Sequence, residues 1–291
     1  MKFLLFGAKG WIGGMVKEIL EKDGIPVVAA VSRADHISAV EEEIKSVKPT
    51  HVVCWIGRTH GPENNTVDYL EQPGKLIENV RDNLFSIMVL ARLGEKYGYH
   101  LTYGGTGCIF EYDDNHDSGF TEEDDPNFFG SSYSVVKGFT DRLMRMYPGV
   151  LNVRIRMPIT DEVHPRNFIT KIVNYKKIHS VENSMTVLPL LLPLMVDMSK
   201  KGVTGTINLV NPGKISHGEI LEMVKELVDP NHTWEYVESV ESLVVAKRSN
   251  CMLNADKLKE LYPQVLPIRD AVRWCLERYS KNGETRLNRQ G

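Results

Sequence analysis

The sequence predicts a doubly wound α/β fold, in which helices cover both faces of a parallel β-sheet and a smaller lobe follows. Short aliphatic runs alternate with stretches of helical periodicity through the first half of the chain, which is typical of right-handed βαβ units. These runs are largely apolar, as strands buried on both faces are. At 291 residues the chain is also long enough for two lobes.

The first half of the chain supplies the sheet. The predicted strands are, in order, KFLLF, PVVAAV, HVVCWI, HLTYGG and LNVRIR, and helices are predicted over 11–23, 36–47 and 73–97. After RMPIT this alternation ends. GTINLV is predicted as a last strand, so the segment 187–211 is expected to rejoin the main sheet.

The second half is expected to form most of the smaller lobe. Ser216 is a good N-cap for the helix of SHGEILEMVKELV, because Glu219 three residues later completes a capping box. A helical tail is predicted over 254–280, and KNGETRLNRQG is expected to be a polar, frayed end. The predicted division is 1–159 for the sheet domain, rejoined by 187–211, and 160–186 with 212–291 for the smaller lobe.

Charge and hydropathy exclude several classes of protein. The formal net charge is −3, and Lys and Arg are scattered, so no face for nucleic acid is expected. The opening MKFLLFGAKG is too short for the apolar region of a signal peptide, and no later run is long enough to span a bilayer. We therefore expect a cytoplasmic protein without membrane contact.

Cysteine usage points to reduced thiols. The cysteines Cys54, Cys108, Cys251 and Cys275 show neither a CxxC pair nor a regular histidine spacing, so neither a disulfide framework nor a metal site is expected. TYGGTGCIFEYDD places Cys108 directly after a Gly-rich turn. Free cysteine is usually a small buried hydrophobe, so only its surroundings can give Cys108 another role.

The first strand leads into a glycine-rich turn, FLLFGAKGWIGGMV, with Gly7, Gly10 and Gly13. Glycine lets the backbone turn tightly, approach a pyrophosphate and pack helix against strand, while the helix N-terminus supplies N–H groups. The sequence therefore predicts a dinucleotide site in which Trp11 and Ile12 also contact the cofactor.

The end of the second strand bears on the choice of cofactor. An NAD-specific site typically has an acidic residue here for the ribose 2′-hydroxyl, whereas this chain has Ser32 and Arg33 in AAVSRADH. A hydroxyl and a guanidinium suit a 2′-phosphate, so NADPH is predicted. A solvated loop charge is the alternative for Arg33.

SSYSVVKGF places Tyr133 and Lys137 four residues apart, on one face of a helix. A nearby cation favours the phenolate and lowers the pKa of a tyrosine, which makes the phenol a usable proton donor to a carbonyl. A surface pair is the alternative. It is disfavoured by the glycine turn upstream and by Thr106 at a strand end.

These features resemble the extended short-chain dehydrogenase/reductases, which have a Rossmann fold and a Ser/Thr–Tyr–Lys set beside NAD(P). More narrowly, the chain is similar to the nucleotide-rhamnose synthases that complete UDP-L-rhamnose as 3,5-epimerase/4-reductases. The matching segments are GWIGG, KPTHV, TGCIFEYD, EEDDPNFFGSSYSVVK, RIRMPI, PRNFITKI, NSMTVL, NPGKISHGEILEM and RSN. The chain departs from this pattern at CWIGRTHG, where the family more often has an Asn-Ala-Ala-Gly type segment.

The resemblance implies a division of roles. Tyr133 would donate a proton to O4 of a UDP-4-keto-6-deoxyglucose, Thr106 would hold the same oxygen, and Lys137 would bond the ribose of NADPH. Cys108 and Lys171 would transfer protons at C3 and C5. Further contacts are expected from Pro158 to the nicotinamide and from Asn167, Arg248 and Asn250 to the sugar nucleotide. A homodimer is common in this fold.

Several alternatives remain open. A 4,6-dehydratase would need acid and base carboxyls directly after Thr106, where Gly107 and Cys108 stand. A pure 4-ketoreductase would need neither Cys108 nor Lys171. A dTDP-sugar enzyme stays open as well, because the choice between UDP and dTDP turns on one methyl and one hydroxyl. A non-enzymatic NADPH-binding regulator would not need the Tyr/Lys pair. The histidines His60, His116, His164 and His217 form no recognisable set and are interpreted as loop or cap residues.

Overall fold

The computed structural model describes residues 1–61, 66–238 and 245–281. The strands are β1 (Phe3–Phe6), β2 (Val27–Ala29), β3 (His51–Cys54), β4 (His100–Thr106), β5 (Val150–Ile155), β6 (Pro158–Ile159), β7 (Lys177–Ile178), β8 (Thr186–Val187), β9 (Gly205–Asn208) and β10 (Glu235–Tyr236). The helices are α1 (Trp11–Lys22), α2 (Ile37–Val47), α3 (Leu76–Val80), α4 (Ser86–Tyr97), α5 (Ser132–Met144), α6 (Phe168–Ile172), α7 (Leu188–Lys200), α8 (His217–Leu227), α9 (Asp256–Leu261) and α10 (Ile268–Lys281). A 3-10 helix, Val67–Glu71, precedes α3, and a π-helical turn, Arg81–Phe85, joins α3 to α4.

Six strands form one parallel sheet in the order β2-β1-β3-β4-β5-β9, which confirms the predicted fold class. The register pairs Phe6 with Cys54 and Cys54 with Tyr103, so the carboxyl ends of neighbouring strands meet at one edge. Strand β9 pairs with β5, so the segment 187–211 contributes a strand to this sheet. In open parallel sheets ligands bind beyond the carboxyl ends, where the strand order reverses. Here that point lies between β1 and β3.

The two faces of the sheet carry separate cores because alternate residues of a strand point to opposite faces. Phe3 and Leu5 of β1 pack in the core that includes α1 and α7. Leu4 and Phe6 pack in the core that includes α2 and α4. Burial of each such side chain stabilises the fold by roughly 1.5–3 kcal/mol.

The smaller lobe has a core of its own. It joins Ile169 of α6, Leu221 of α8 and Val272 of α10. The predicted capping box at the start of α8 is present, since the Ser216 and Glu219 side chains each accept the other's backbone N–H at 3.2 and 2.9 Å. This separate core supports the predicted two-lobe division, which stays a prediction.

Two helix predictions need correction. The tail predicted over 254–280 is two helices, α9 and α10, because Pro263 and Pro267 lie between them, and proline donates no N–H and disfavours a helical conformation of the residue before it. The helix predicted over 73–97 begins at Leu76. The end of the polar tail, 282–291, lies outside the described residues. No helix within the described ranges is long and apolar enough to cross a bilayer.

Candidate active site

The glycine turn after β1 forms a cradle of backbone. Gly7 has a φ of +85°, and its carbonyl accepts the Gly10 N–H at 2.8 Å. A Cβ on Gly13 would lie 2.1 Å from that carbonyl oxygen, so only glycine fits. No side chain caps α1 at Gly10, which leaves the first N–H groups of the helix open to an anion.

Two connected cavities lie at the carboxyl edge of the sheet. The inner cavity, about 340 Å³, is lined by residues 10–13 and extends to Lys137, Pro158 and Lys171. The outer cavity, about 740 Å³, lies between the 3-10 helix and the smaller lobe, and Arg248 and Asn250 line it. The cavities share a wall formed by Val67, Cys108, Tyr133, Met157 and Phe168.

Trp55, in the segment that departs from the family pattern, lines the inner cavity. A Cβ on Gly104 would lie 2.4 Å from the Trp55 ring, so the indole lies directly on the glycine backbone of β4. The buried Trp55 Nε1 has no hydrogen-bond partner in the described structure. The glycine cradle, the open helix start and this free donor all fit a dinucleotide in the inner cavity.

Thr106 and Tyr133 meet where the two cavities join. Thr106 ends β4, and its Oγ1 accepts the Cys108 N–H at 3.1 Å. Tyr133 lies in the first turn of α5. Burial and the nearby Cys108 raise the pKa of Tyr133, against the opposing effect of the neighbouring Thr106 side chain. Tyr133 is therefore a neutral phenol, able to donate a proton.

Lys137 does not act on Tyr133 as the sequence predicts. Its Nζ donates to the hydroxyl of Tyr103 and, at 3.3 Å, to the carbonyl of Gly104. Burial lowers the pKa of Lys137 to about 8. The predicted lowering of the Tyr133 pKa by Lys137 is wrong for this structure, because Lys137 is itself buried and points to Tyr103.

Cys108 and Lys171 both line the inner cavity, as a proton-transfer pair requires. Cys108 is half-buried, and its carbonyl accepts the Ser134 hydroxyl at 2.7 Å, which fixes it against α5. Burial lowers the pKa of Lys171, and the charges of Arg166 and Arg248 lower it further. A lysine with a lowered pKa is a better proton acceptor near neutral pH.

The predicted substrate residues have different surroundings. Asn250 lines the outer cavity, where its Oδ1 accepts from Asn183 at 3.0 Å. Arg248 also lines it, but its guanidinium binds the Asp68 carboxylate at 3.0 and 2.8 Å and the Ala246 carbonyl at 2.9 Å. Asp68 thus fixes the orientation of Arg248, and only its remaining donors can reach a ligand.

Asn167 corrects the sequence-based prediction, since it is fully buried and cannot contact a ligand. Its Oδ1 caps α6 by accepting the Ile169 N–H at 3.2 Å. Its amide donates to the Thr160 and Glu162 carbonyls at 3.0 and 2.8 Å and to the Tyr279 hydroxyl. Asn167 therefore holds the helix that carries Lys171.

Ser32 and Arg33 follow β2 beside the glycine turn, but neither is among the lining residues of the two cavities. Arg33 binds Asp35, with Nε 3.1 Å from Oδ1. The Glu43 carboxylate, from α2, accepts the Ser32 N–H at 2.9 Å and the Ser32 hydroxyl. A second acidic group, from α2, thus stands near the end of β2 in addition to Asp35 of the loop itself.

Several lining residues escape sequence reasoning. His60 lines the inner cavity and His217 the outer one, so the interpretation as loop or cap residues misses them. Burial lowers the pKa of His217 to about 3, and its Nε2 has no partner in the described structure. Arg156 also lines the inner cavity, and its position directly after an apolar predicted strand is a signal that the sequence offers for it. The contact of Glu43 with Ser32 has no such signal, since eleven positions separate the two residues.

No group of three or more His, Cys, Asp or Glu among the described residues could hold a metal ion. A glycine cradle and a Thr–Tyr–Lys set at the carboxyl edge of a parallel sheet define an oxidoreductase of the extended short-chain dehydrogenase/reductase class. The crystal structure of the L780 UDP-rhamnose synthase from Acanthamoeba polyphaga mimivirus is 55% identical, covers 96% of this chain and 99% of that chain, and has a TM-score of 0.93. The chain belongs to the family of nucleotide-rhamnose synthases, which are epimerase/reductases.

Two plant relatives agree with this assignment. The bifunctional dTDP-4-dehydrorhamnose 3,5-epimerase/reductase of Arabidopsis thaliana is 40% identical over 93% of this chain and 90% of its own length. A trifunctional UDP-glucose 4,6-dehydratase/3,5-epimerase/reductase of the same plant is 41% identical, and the chain spans 41% of that longer protein. A Bacillus anthracis dTDP-4-dehydrorhamnose reductase in complex with NADP shares the fold, at 16% identity over 97% of this chain and 99% of that chain, with a TM-score of 0.78. No protein-family model matches the chain.

Proposed function

We propose that the chain converts UDP-4-keto-6-deoxy-D-glucose to UDP-L-rhamnose by epimerising C3 and C5 and reducing C4 with NADPH. One observation carries the proposal: Cys108 and Tyr133 lie in the wall shared by the cavity at the glycine turn and the larger cavity, with Thr106 beside them. A substrate ketone placed at this junction would lie beside the hydroxyls of Thr106 and Tyr133, beside the thiol of Cys108, and next to a cofactor in the inner cavity.

The substrate's C4 ketone explains how one site performs three steps. Loss of the proton from C3 or C5 gives an enolate with its charge on O4, and hydride addition to C4 places charge on the same oxygen. The hydroxyls of Tyr133 and Thr106, which line the same cavity, would stabilise that oxygen in every step.

Epimerisation requires one group to remove a proton and another to return it on the opposite face. Cys108 and Lys171 line the same cavity and supply these two roles. Such assistance is worth roughly 10² to 10⁴ in rate. A 4-ketoreductase alone would need neither group.

In the reduction, Tyr133 supplies the proton that O4 gains. NADPH, when bound, supplies the hydride to C4. The first N–H groups of α1 would hold its pyrophosphate, Lys137 its ribose and Pro158 its nicotinamide, while Ser32 and Arg33 would face its 2′-phosphate. Lys137 lies at the cavity wall with a pKa lowered to about 8, and a bound ribose would give its amine a further partner.

The UDP moiety is assigned to the outer cavity. Arg248 would donate to the diphosphate with the N–H groups that Asp68 leaves free, and Asn250 lines the same space. UDP is preferred over dTDP because the 55% identical structure is a UDP-rhamnose synthase, whereas the relative named for dTDP is 40% identical.

We also propose a cytoplasmic homodimer. All four cysteines are free thiols in the structure. Large apolar side chains are exposed on the helices beside the sheet, including Leu76, Ile77, Phe85 and Phe139, at 58, 75, 42 and 56% exposure. A second copy of the chain would cover such a surface.

The test is NMR of the product formed from UDP-4-keto-6-deoxyglucose and NADPH in D₂O. The expected product is UDP-L-rhamnose with deuterium at both C3 and C5. A reduced sugar without deuterium at these carbons would contradict epimerisation and leave a ketoreductase. Failure to oxidise NADPH with this substrate would overturn the reduction.

A further inference from the structure

The carboxylate of Glu43 occupies the hydrogen-bond donors at the end of β2. It accepts the N–H of Val31 at 2.8 Å, the N–H of Ser32 at 2.9 Å and the hydroxyl of Ser32. Three converging donors of this kind form a binding place for an anion. In this chain the anion is the chain's own side chain.

This place has a known use in dinucleotide folds. The loop after the second strand lies beside the glycine turn, and the adenosine ribose of the cofactor reaches it. The register confirms the neighbourhood, because Leu5 of β1 pairs with Ala29 and accepts the Ala30 N–H at 2.9 Å. The Val31 and Ser32 donors come directly after these residues.

Arg33, the cation that would suit a 2′-phosphate, is already paired with a carboxylate. Arg33 binds both oxygens of Asp35, at 3.1 and 3.2 Å. The loop and α2 therefore present two carboxylates, Glu43 and Asp35, and Asp35 lies between two guanidinium groups, since the Arg81 Nε is also 3.9 Å from its Oδ2. Burial raises the pKa of Glu43, but hydrogen bonds from Ser32 and the Val31 N–H outweigh this and lower the pKa, so Glu43 is ionised at neutral pH.

A ribose 2′-hydroxyl and a 2′-phosphate meet this arrangement differently. The hydroxyl can donate to the Glu43 carboxylate, as it does to the acidic residue of NAD-binding folds. A phosphate carries a charge of about −1.5 to −2 and must displace or repel that carboxylate. At a few ångströms, near a protein surface, such repulsion amounts to a factor of about ten or more in affinity.

We propose that Glu43 is a determinant of cofactor selectivity, which restrains the preference for NADPH and keeps NADH usable. The inference rests on the proposed function for its choice of cofactor. The residue added to the predicted cofactor site is Glu43 of α2, which lies against Ser32 and there occupies the donors that would otherwise meet a 2′-phosphate. Without Glu43 the same loop would be a phosphate site.

The test is calorimetric binding of NADPH and of NADH without sugar substrate, so that turnover does not enter. Glu43→Gln and Glu43→Ala are compared with the wild type, and Glu42→Gln, an exposed neighbour on the same helix, is the matched control. The ratio of NADH to NADPH dissociation constants should rise about tenfold or more in both Glu43 variants. It should change less than about twofold in the control, because an exposed charge is largely screened.

Two results would overturn the inference in distinguishable ways. An unchanged ratio in folded Glu43 variants, checked by thermal unfolding, removes Glu43 as a determinant and leaves the proposed function intact. A wild-type chain that binds neither cofactor overturns the cofactor assignment and, with it, the role of Glu43.

Discussion

The Nη1 of Arg156 lies 3.6 Å from the sulfur of Cys108, within a cavity that also contains Lys171. Arg156 is fully buried, and its guanidinium is held by Ser249, Asn183 and the Gly107 carbonyl. This contact with a charged group, together with its partial exposure at the cavity, distinguishes Cys108 from an ordinary core cysteine.

Cys108 should be the one thiol that is alkylated rapidly in the native protein. Cys54, Cys251 and Cys275 are fully buried, and burial raises the pKa of Cys54 to about 12 and of Cys251 to about 11. Mass spectrometry after brief iodoacetamide treatment should find one modified site. Cys108→Ser should leave none, and fast labelling of that variant would contradict the assignment.

Cys108→Ala and Lys171→Met should each suppress the incorporation of deuterium from D₂O, by roughly 10² or more. Both side chains line the inner cavity, so each substitution removes one of the two groups proposed to transfer protons. NMR of the substrate, without NADPH, measures the exchange at C3 and C5. Normal exchange at both carbons in Cys108→Ala would return that residue to a packing role.

Tyr133→Phe should reduce NADPH oxidation by roughly 10² or more, since it removes the proposed proton donor to O4. The variant keeps the buried ring and loses only the hydroxyl, so its thermal unfolding should stay close to that of the wild type. Tyr112→Phe is the control, because that hydroxyl donates to the Glu182 carbonyl outside both cavities. Near-normal reduction by Tyr133→Phe would exclude the assigned role.

Because Lys137 is buried, the free energy of unfolding of the cofactor-free protein should increase as the pH rises. Burial lowers its pKa from 10.5 to about 8, so between these values the unfolded chain binds more protons than the folded one. Stability therefore increases with pH across this window. Urea unfolding of the wild type and of Lys137→Met, from about pH 7 to about pH 10, isolates the effect. A difference between them that does not vary with pH would contradict the lowered pKa.

Substitution of Asn167 should lower stability, whereas substitution of Arg248 should weaken UDP binding. Asn167→Ala removes a helix cap and buried hydrogen bonds, so it should cost about 1–3 kcal/mol of stability. Arg248→Ala should instead weaken UDP binding about tenfold, with a smaller effect on stability. Chemical unfolding and UDP calorimetry on both variants separate the two roles. Equal loss of UDP affinity in a fully stable Asn167→Ala protein would restore the contact predicted from sequence.

The sequence by itself determined the sheet, the glycine turn and the Thr106, Cys108 and Tyr133 set that the structure brings together beside the two cavities. Strand and helix periods are local, and so are the capping box at Ser216 and the spacing of Tyr133 and Lys137. Even Cys108 could be singled out, because Thr106 stands two positions before it in the same segment.

Only the tertiary structure decided what surrounds those residues. Arg156 reaches Cys108 from the position after β5, Glu43 reaches Ser32 from α2, and Asp68 holds Arg248 from a position 180 residues away. Burial and charge pairing depend on which elements pack together, and no local pattern encodes that. For the same reason Asn167, which reads as a binding residue in sequence, proves to be a buried helix cap.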